Sequence, residues 1–374
     1  MARKSTPASH ASADRTAGSL KNLRQQIDKL DLQILDLINK RASLAAKIGE
    51  LKHDQGNNVF APAREEEVIA NLLRANKGPM PEVSVRAIYR EIISASRALQ
   101  RVLKVAFLGP EYSFSHLATL QRFGEAVEMM EVGSIAAVFE EVNRRHVDYG
   151  VVPLENSTDG RVADTLDMFI RLPQLKICSE VRMRIHHCLL ANCEQTEIRR
   201  VYSKPQALSQ CRNWLSKNVP HASLHEVTST SAACRLVQTE PHVAAVASRQ
   251  AAVRYGLRIL FSDIEDSPHN ETRFAVIGLQ DAAKTGRDKT AIMFQIPHSP
   301  GSLADVLILF KQNKVNLTWI ESFPYRSAKG EYVFFVEFEG HTDDPKIKKT
   351  LAALERQAFK LSVLGSFPMA QPVD

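Results

Sequence analysis

The sequence lacks the marks of a membrane or secreted protein. No apolar run reaches the ~20 residues that a membrane span needs, and no secretory signal pattern of a basic and then an apolar region opens it. The five cysteines are an odd number and none forms a Cys-x-x-Cys pair. Cys188 and Cys193 lie close together, but no matching set of His or Cys ligands accompanies them. We therefore expect buried free thiols in a reducing cytoplasm, with no metal site and no membrane partner.

A concentrated basic segment is also missing. The net charge is +6, but Lys and Arg are spread along the chain rather than gathered in one run with aromatic residues. We therefore expect no nucleic-acid partner, since small, multiply charged anions suit such a surface equally well. The 374 residues, 44% hydrophobic and 24% charged, are typical of a soluble protein of two or three domains. Residues 1–19, rich in Ala, Ser, Arg and Lys, predict a disordered tail, although an organellar transit peptide would share this composition.

A polar turn follows a predicted buried strand in the middle of the chain. The apolar run ends at Leu154, polar residues continue to Gly160, and helical spacing begins at Val162. In an open α/β sheet, such a turn lies at the carboxyl edge where ligands bind, and the helix start offers N–H groups to an anion. A turn that is merely solvated and well capped has the same local pattern.

A heptad pattern after residue 20 predicts one helix of about 30 residues, about 45–50 Å long. We call its repeating positions the seam: Leu23, Ile27, Leu30, Ile34, Leu37, Arg41, Leu44, Ile48 and Leu51.

Arg41 is the charged member of this seam. An arginine snorkelling from the edge of a coiled coil is the ordinary explanation. Lys52, however, lies on nearly the same helical face as Arg41, whereas Arg24 lies about 25 Å from Arg41 along the helix axis. A single helix cannot bring Arg24 to a site shared with Arg41 and Lys52, but an antiparallel partner helix can.

Two shorter helices are predicted after the long one, over Pro62 to Ala75 and Pro81 to about Val102, each with Pro in its first turn. Glu65 lies near the start of the first. Ser96 and Gln100 lie four residues apart on the second and therefore share one face.

Residues 20–103 with this pattern resemble the all-helical chorismate mutases, whose intertwined dimers build each active site from both chains. Positive side chains and a compact bound conformer suit a pericyclic rearrangement, which needs no nucleophile. Ala61 departs from the acidic residue found in some members. The resemblance implies six site residues: Arg24 of the partner chain and Arg41 at the two carboxylates, Lys52 and Gln100 at the ether oxygen, and Glu65 and Ser96 near the ring hydroxyl.

Residues 104–281 alternate strands with helices, which predicts mostly parallel sheets. A second strand group opens with Arg182–Leu190, and the strands at Ile259–Phe261 and Arg273–Ile277 return to the first group. A chain that leaves one lobe and later returns predicts two lobes over a hinge, with a ligand between them.

Three short motifs in this region resemble the signatures of prephenate dehydratase, a family with a two-lobed fold like that of periplasmic binding proteins. They are Gly109-Pro110-x-x-Ser113-Phe114-Ser115, Pro153-Leu154-Glu155-Asn156-Ser157 and Glu271-Thr272-Arg273-Phe274. The resemblance makes Thr272 the catalytic hydroxyl, and Tyr112 departs from the glycine usual in the first motif. Its other implied pocket residues are Arg273, Asn156 and Ser157, joined from the second lobe by His187, Ser203, Gln206 and Gln210.

Prephenate must lose its 4-hydroxyl and a carboxylate to become phenylpyruvate. Hydroxide is a poor leaving group, so a nearby group must help water to leave. A free Thr hydroxyl is a very weak acid, and Thr272 is therefore expected to donate within a network. Glu155 is the rival proton donor.

Residues 286–366 follow a β-α-β-β-α-β order, which is the ferredoxin-like plan and is equally compatible with a dimerisation unit. The Pro300-Gly301-Ser302-Leu303 turn and the stretch from Glu321 to Pro324 resemble the ACT domains that bind phenylalanine in this enzyme family. Phe323 stands where most members have Arg, which leaves the strength of control open. The resemblance implies an effector site at a dimer interface, formed by Gly301, Ser302, Leu303, Asn316, Leu317, Glu321 and Ser322.

These resemblances imply a multidomain protein: an all-α chorismate mutase module, a two-lobed α/β dehydratase like periplasmic binding proteins, and an α+β ferredoxin-like ACT domain. They imply an enzyme that acts on chorismate and prephenate, answers to phenylalanine, needs no cofactor and forms a homodimer or higher homo-oligomer. A non-enzymatic solute sensor could use the same lobes and ACT unit, but it would not need Thr272, Arg41 or Lys52.

Overall fold

The computed structural model describes residues 8–54, 59–158, 160–324 and 332–373, and of residues 8–18, 52–54 and 324 it describes the backbone alone. The helices are α1 (Ala8–Asp54), α2 (Pro62–Ala75), α3 (Glu82–Ala98), α4 (Phe114–Phe123), α5 (Ile135–Asn143), α6 (Ala163–Arg171), α7 (Pro205–Gln210), α8 (Arg212–Asn218), α9 (Thr230–Thr239), α10 (Arg249–Tyr255), α11 (Ser302–Gln312) and α12 (Pro345–Glu355). None of the described helices is long and apolar enough to cross a membrane.

The strands are β1 (Lys104–Leu108), β2 (Glu128–Val132), β3 (Tyr149–Asn156), β4 (Gly160–Arg161), β5 (Lys176–Arg184), β6 (Cys188–Ala191), β7 (Arg200–Ser203), β8 (Ser223–Glu226), β9 (Val243–Ala247), β10 (Arg258–Phe261), β11 (Glu271–Gly278), β12 (Asp288–Gln295), β13 (Leu317–Pro324), β14 (Tyr332–Glu339), β15 (Lys360–Pro368) and β16 (Pro372–Val373). The chain divides into two compact units. One contains α1 with Ala95–Arg101, and the other contains Phe60–Ser94 and the chain from Val102 onward.

The long helix α1 carries the predicted seam but begins earlier than expected. The prediction of a disordered tail over residues 1–19 is wrong from Ala8 onward, because α1 begins there. Alanine has the highest helix propensity, and no proline interrupts the chain between Ala8 and Asp54. Residues 1–7 lie outside the described part of the chain. The eight apolar seam residues are all between 51% and 65% exposed among the described residues, so this face of α1 is left largely open to solvent.

Helix α2 has its predicted bounds, whereas α3 ends at Ala98, before the predicted end near Val102. The last turn tightens there, since the Gln100 amide bonds to the carbonyl of Arg97 at 2.9 Å. Gln100 therefore lies in a turn beyond α3. The sequence pattern predicted that Gln100 shares a helical face with Ser96, and this prediction is wrong because α3 ends at Ala98.

The first lobe is built on a mixed sheet with the order β16-β5-β11-β3-β1-β2, and β4 pairs with β3. Strands β2 and β3 run parallel to β1, but β11 runs antiparallel to both β3 and β5. The second lobe has the order β10-β6-β9-β7-β8, with β7 parallel to β8 and β9 and with β6 antiparallel to β9 and β10. The prediction that the strand at Ile259–Phe261 returns to the first lobe is wrong, because it belongs to β10, which pairs with β6 in the second-lobe sheet. The prediction of mostly parallel sheets is likewise wrong for β6, β10 and β11. These strands enter or leave at the crossings between the lobes and are not joined by helical crossovers.

The segment after the two lobes forms a four-stranded antiparallel sheet with the order β13-β14-β12-β15. With α11 and α12, it shows the predicted β-α-β-β-α-β connectivity of the ferredoxin-like plan. We call this unit (β12–β15 with α11 and α12) the C-terminal sheet unit.

All five cysteines are free, as predicted. Four are buried and Cys193 is half-buried, which corrects the expectation for that thiol. Burial raises the pKa of Cys178 and of Cys234 to about 12 each, so both thiols stay protonated and unreactive at neutral pH.

Candidate active sites

Thr272 and Asn156 face each other across the antiparallel pair of β11 and β3. The Asn156 side-chain amide donates to the Thr272 hydroxyl oxygen over 2.8 Å. A hydroxyl that accepts a hydrogen bond becomes a better donor of its own proton, because bonded dipoles polarise one another. The geometry therefore leaves the Thr272 proton available and fits the expected role of a donor within a network.

Asn270, which sequence reasoning missed, extends this network. Its side-chain oxygen accepts from the Asn156 amide at 3.1 Å, and its own amide donates to the Gln210 side-chain oxygen at 2.9 Å. Asn270 is only 2% exposed. The signal that could have found it is its position one residue before the Glu271-Thr272-Arg273 motif, since a buried amide needs partners.

His187 joins the network from the second lobe. Its Nε2 lies 3.0 Å from the Gln210 side-chain oxygen, and Phe114 packs edge-on against its ring at 5.7 Å. Burial lowers the pKa of His187, so the ring is neutral at neutral pH. Nε2 then donates to Gln210 and Nδ1 is an acceptor, which is buried and has no hydrogen-bond partner among the described residues. The predicted association of Asn156, Thr272, His187 and Gln210 is thus present as one chain of contacts through Asn270.

The other predicted pocket residues are engaged elsewhere. The Ser203 hydroxyl donates to the Val246 carbonyl at 2.6 Å and is fully buried. The Ser157 hydroxyl donates to the His269 carbonyl at 3.1 Å and accepts from the Glu271 amide at 2.9 Å. These contacts hold the backbone around the site. Gln206 is exposed, and direct substrate contact by Ser157, Ser203 or Gln206 stays a prediction.

Arg273 does not line the same pocket as Asn156, so this prediction is wrong. Successive residues of a strand point to opposite faces of the sheet, and Arg273 lies opposite Glu155 while Thr272 lies opposite Asn156. Arg273 pairs with Glu155 at 2.9 Å and with Glu180 at 3.0 Å, on the far side from the Thr272 hydroxyl. The same alternation turns Glu155 away from Thr272, which weakens its case as the rival proton donor.

In the helical unit, the structure brings Arg41 and Ser96 together. Arg41 donates to the Ser96 hydroxyl over 2.6 Å, and Ser96 is 6% exposed. Gln100 packs against Gly49 of α1 so closely that a Cβ at Gly49 would lie 2.6 Å from the Gln100 Cγ. The side-chain oxygen of Gln100 is buried and has no partner among the described residues. Three residues of the predicted mutase site, Arg41, Ser96 and Gln100, therefore lie along one stretch of α1.

Arg24, Lys52 and Glu65 complete the set of predicted mutase residues. Arg24 is exposed on α1, as expected of a residue meant for a second chain. Lys52 belongs to α1, but its side chain lies outside the described residues. Glu65 forms an ion pair of 2.8 Å with Arg122 of α4, and both side chains are at most 14% exposed. Its assignment to the ring hydroxyl of chorismate stays a prediction.

Comparison with known proteins decides the family. The profile described as prephenate dehydratase matches residues 105–282, and the profile described as chorismate mutase type II matches residues 23–101. The bifunctional chorismate mutase/prephenate dehydratase of Aquifex aeolicus is 43% identical over 356 residues, which cover 94% of this chain and 98% of that protein. The chain belongs to the bifunctional chorismate mutase/prephenate dehydratase family.

Two further comparisons agree. The bifunctional enzyme of Stutzerimonas stutzeri is 42% identical over 361 residues, covering 95% of this chain and 99% of that protein. The prephenate dehydratase of Arthrobacter aurescens, whose structure was solved in complex with L-Phe, is 32% identical in sequence. The two structures superpose with a TM-score of 0.68 over 73% of this chain and 92% of that chain. The chain is therefore an enzyme with a chorismate mutase domain and a prephenate dehydratase domain.

The predicted effector residues lie on two elements of the C-terminal sheet unit, beyond the dehydratase profile. Gly301 precedes α11 with φ of +89°, a conformation that favours glycine. Ser302 and Leu303 line a recess with His298 and Tyr332.

The second group of effector residues lies on β13 and just before it. Asn316 donates to Glu339 at 3.0 Å, and Leu317 packs into the core of the C-terminal sheet unit. Glu321 pairs with Arg161, and Ser322 is exposed. Their joint role as an effector site stays a prediction.

One group of metal-ligand type occurs among the described residues of the dehydratase domain. Ligand atoms of His186, Asp263 and Glu265 lie within 4.8 Å of one another. The Glu265 carboxylate already accepts from the His187 amide at 2.9 Å and contacts the His186 ring at 2.7 Å. These contacts explain the cluster by hydrogen bonding, and the absence of a metal stays a prediction.

Proposed function

We propose that the chain converts chorismate to prephenate in its mutase domain and prephenate to phenylpyruvate in its dehydratase domain, under feedback control by phenylalanine. The observation that carries the proposal is the continuous contact Thr272–Asn156–Asn270–Gln210–His187 between the two lobes. A hydroxyl that accepts a hydrogen bond from a neutral amide at a hinge suits an elimination that needs one proton and a closed site.

The mutase step needs only binding and charge. Arg41 and, from a second chain, Arg24 hold the two carboxylates of chorismate in a compact conformer. Gln100 and Lys52 donate to the ether oxygen as the C–O bond breaks and electron density builds there. The close approach at Gly49 fixes Gln100 against α1, which favours a preorganised donor.

The dehydratase step breaks two bonds of prephenate. The ring C–carboxylate bond breaks and releases CO₂, its electron pair enters the ring, and the C4–O bond breaks as the hydroxyl leaves. The leaving oxygen takes one proton and departs as water, so the products are phenylpyruvate, CO₂ and water. Thr272 donates the hydrogen bond or proton to that oxygen, and Asn156 supports Thr272.

A second copy of the chain completes the mutase site. The seam of α1 is exposed along its whole apolar face, and large exposed apolar faces mark interaction surfaces. Heptad spacing suits another helix of the same kind. An antiparallel second α1 brings the partner's Arg24 toward Arg41, so we propose a homodimer or a higher homo-oligomer.

The C-terminal sheet unit is proposed to be an ACT domain that binds phenylalanine. Its connectivity is ferredoxin-like, and the relative from Arthrobacter aurescens was crystallised with L-Phe. Coupling of this kind is usually ~1–3 kcal/mol. Phe323 is 7% exposed and part of the hydrophobic core, so the charge that Arg brings at this position in most members is missing here.

The test is to incubate purified protein with chorismate and to follow its loss and the formation of phenylpyruvate, with and without phenylalanine. Thr272→Ala should stop the sequence at prephenate, whereas Lys52→Ala should spare the conversion of added prephenate. Equal loss of both activities in either variant would contradict separate sites. A protein that binds phenylalanine but consumes neither substrate would instead be a solute sensor.

A further inference from the structure

The C-terminal sheet unit packs directly on the sheet that carries Thr272. Ala275 and Ile277 of β11 share one hydrophobic core with Met293 of β12 and Phe335 of β14. Such cores resist continuous deformation and shift between discrete packings. A change in β13 or β14 therefore reaches β11 through direct contact.

A buried charge cluster ties the strand of Thr272 to β14. Arg273 donates to both carboxylate oxygens of Glu337 at 2.9 and 2.7 Å, and Glu337 is fully buried. Lys289 of β12 lies 3.2 Å from Glu180, which also pairs with Arg273. Burial opposes the charged form of Arg273, but Glu337 and Glu180 outweigh it and raise the pKa of the guanidinium. Because an unpaired buried charge is costly, Arg273 is held firmly to the C-terminal sheet unit.

A second ion pair ties the other catalytic strand to β13. Arg161 of β4 lies opposite Glu155 of β3, one residue from Asn156. Its guanidinium pairs with Glu321 of β13 at 2.6 Å. Arg161 therefore contacts a residue that the family resemblance assigns to the effector site. Unlike the Arg273 cluster, this pair is partly exposed, with side chains 38% and 24% accessible.

We propose that Arg161 and Arg273 are positioning residues, which hold Asn156 and Thr272 in register by anchoring their strands to Glu321 and Glu337 of the C-terminal sheet unit. The proposal deepens the proposed function and rests on it. Arg273 acts as a fixed anchor because its partners are buried. Arg161 acts as the adjustable one because its partner Glu321 is partly exposed to solvent.

The chemistry of the ligand makes the Arg161 pair a switch. A free amino acid carries an ammonium group, and the Glu321 carboxylate can pair with that ammonium or with the Arg161 guanidinium. Phenylalanine that pairs with Glu321 releases Arg161 and loosens the pairing of β4 with β3 at Glu155 and Asn156. By reciprocity, Arg161 and phenylalanine must then weaken each other's hold on Glu321 by the same factor.

The test compares Arg161→Gln with Glu321→Gln in the full-length protein. Both variants break the anchor, so both should lower kcat for added prephenate about two- to five-fold with little change in KM, as expected for a partly exposed ion pair. Their affinities for phenylalanine, measured by calorimetry, should move in opposite directions. Arg161→Gln removes the competitor and binds phenylalanine more tightly, and Glu321→Gln removes the ligand's partner and binds it more weakly.

Two further variants separate positioning from general structure. Arg161→Lys keeps the positive charge and should restore most of kcat and the original phenylalanine affinity. Arg258→Gln breaks an exposed pair with Glu194 of 3.1 Å in the second lobe and should change neither quantity. For the buried anchor, Glu337→Gln should lower kcat more than Arg161→Gln does, in a protein shown by circular dichroism to be folded.

The outcomes are distinguishable from failure of the proposed function. If the unmodified protein neither converts prephenate nor binds phenylalanine, the proposed function is wrong. If it does both, and Arg161→Gln weakens phenylalanine binding or leaves both kcat and affinity unchanged, the positioning proposal is overturned.

Discussion

Thr272 and Arg273 are neighbours on β11 but serve opposite faces of the first-lobe sheet. The Thr272 hydroxyl is 2.8 Å from the Asn156 amide on the side of the hinge, and Arg273 pairs with buried Glu337 on the side of the C-terminal sheet unit. A single strand thus presents the proposed catalytic hydroxyl and, one residue later, the anchor to the proposed sensor. This spacing follows from the two-residue period of a strand.

Asn156→Asp should reduce dehydratase activity nearly as far as loss of the Thr272 hydroxyl. The carboxylate accepts and cannot donate, so the Thr272 proton turns toward it and away from the leaving group. Loss of one such donor typically costs ~10²–10³ in kcat. The measurement is kcat for added prephenate.

The control for this change is Asn143→Asp. Asn143 accepts from Gln174 at 2.7 Å on the surface, and a carboxylate retains that role, so dehydratase activity should be unchanged. Full activity in Asn156→Asp would show that Thr272 is not the donor, whatever the behaviour of the control.

Gly49→Ala should reduce mutase activity while it favours the helix. A Cβ at Gly49 would lie 2.6 and 2.8 Å from the Gln100 Cγ and Cβ, so Gln100 must move. Displacement of a substrate-positioning group by about 1 Å can cost ~10² in rate, and alanine stabilises a helix by ~1 kcal/mol relative to glycine. A fall in kcat for chorismate without a fall in thermal stability would therefore locate the effect at Gln100.

Two comparisons complete this experiment. Gly133→Ala introduces a methyl group with no heavy atom within 4 Å and should leave mutase activity unchanged. Dehydratase activity on added prephenate should survive in both variants. If Gly49→Ala retains full mutase activity, Gln100 has no part in the chemistry.

How far the sequence predicts this protein depends on the range of the interactions involved. Local patterns predicted α2 with its bounds and the β-α-β-β-α-β order. The family resemblance that the three short motifs carry also implied that Asn156, Thr272, His187 and Gln210 belong together. These features depend on spacing along the chain or on residues kept together by function.

What the sequence could not predict depends on contacts between distant segments. The motif places Arg273 next to Thr272 in sequence, which suggests one pocket for both. In the strand, however, successive side chains point to opposite faces of the sheet. Glu337, its buried partner, lies 64 positions away and has no local signal. The pairing of Glu65 with Arg122 likewise joins the two family profiles through a contact 57 positions apart.

Acid should destabilise the protein partly through His187. Burial lowers the pKa of His187 in the folded state, and the unfolded value is about 6.5. Below that value the unfolded chain binds a proton that the folded chain resists, so the unfolded state holds more protons and stability falls as the pH falls. The stability associated with neutral His187 is complete above about pH 6.5 and is lost as the pH falls from there through the lower folded pKa.

The measurement is the urea midpoint at pH 7.5 and at pH 5.5. The unmodified protein should lose more stability between these values than His187→Gln, which has no ring to protonate. His221→Gln, on the exposed surface, should lose as much as the unmodified protein. An equal loss in His187→Gln would show that His187 is not the resisting group.

Gly365→Ala should destabilise the contact between the C-terminal sheet unit and the dehydratase sheet. Gly365 has φ of +137°, a conformation that is strained for residues with a side chain. A Cβ added at this position would collide with the Ile177 carbonyl oxygen. Gly286, with φ of +89° and no heavy atom within 4 Å of its Cβ, carries the backbone strain alone. Strain costs ~1–3 kcal/mol at either glycine, and overpacking adds ~1–3 kcal/mol at Gly365. The free energy of unfolding should therefore fall further in Gly365→Ala than in Gly286→Ala. Equal losses would mean that the close contact between Gly365 of β15 and Ile177 of β5 does not contribute to stability.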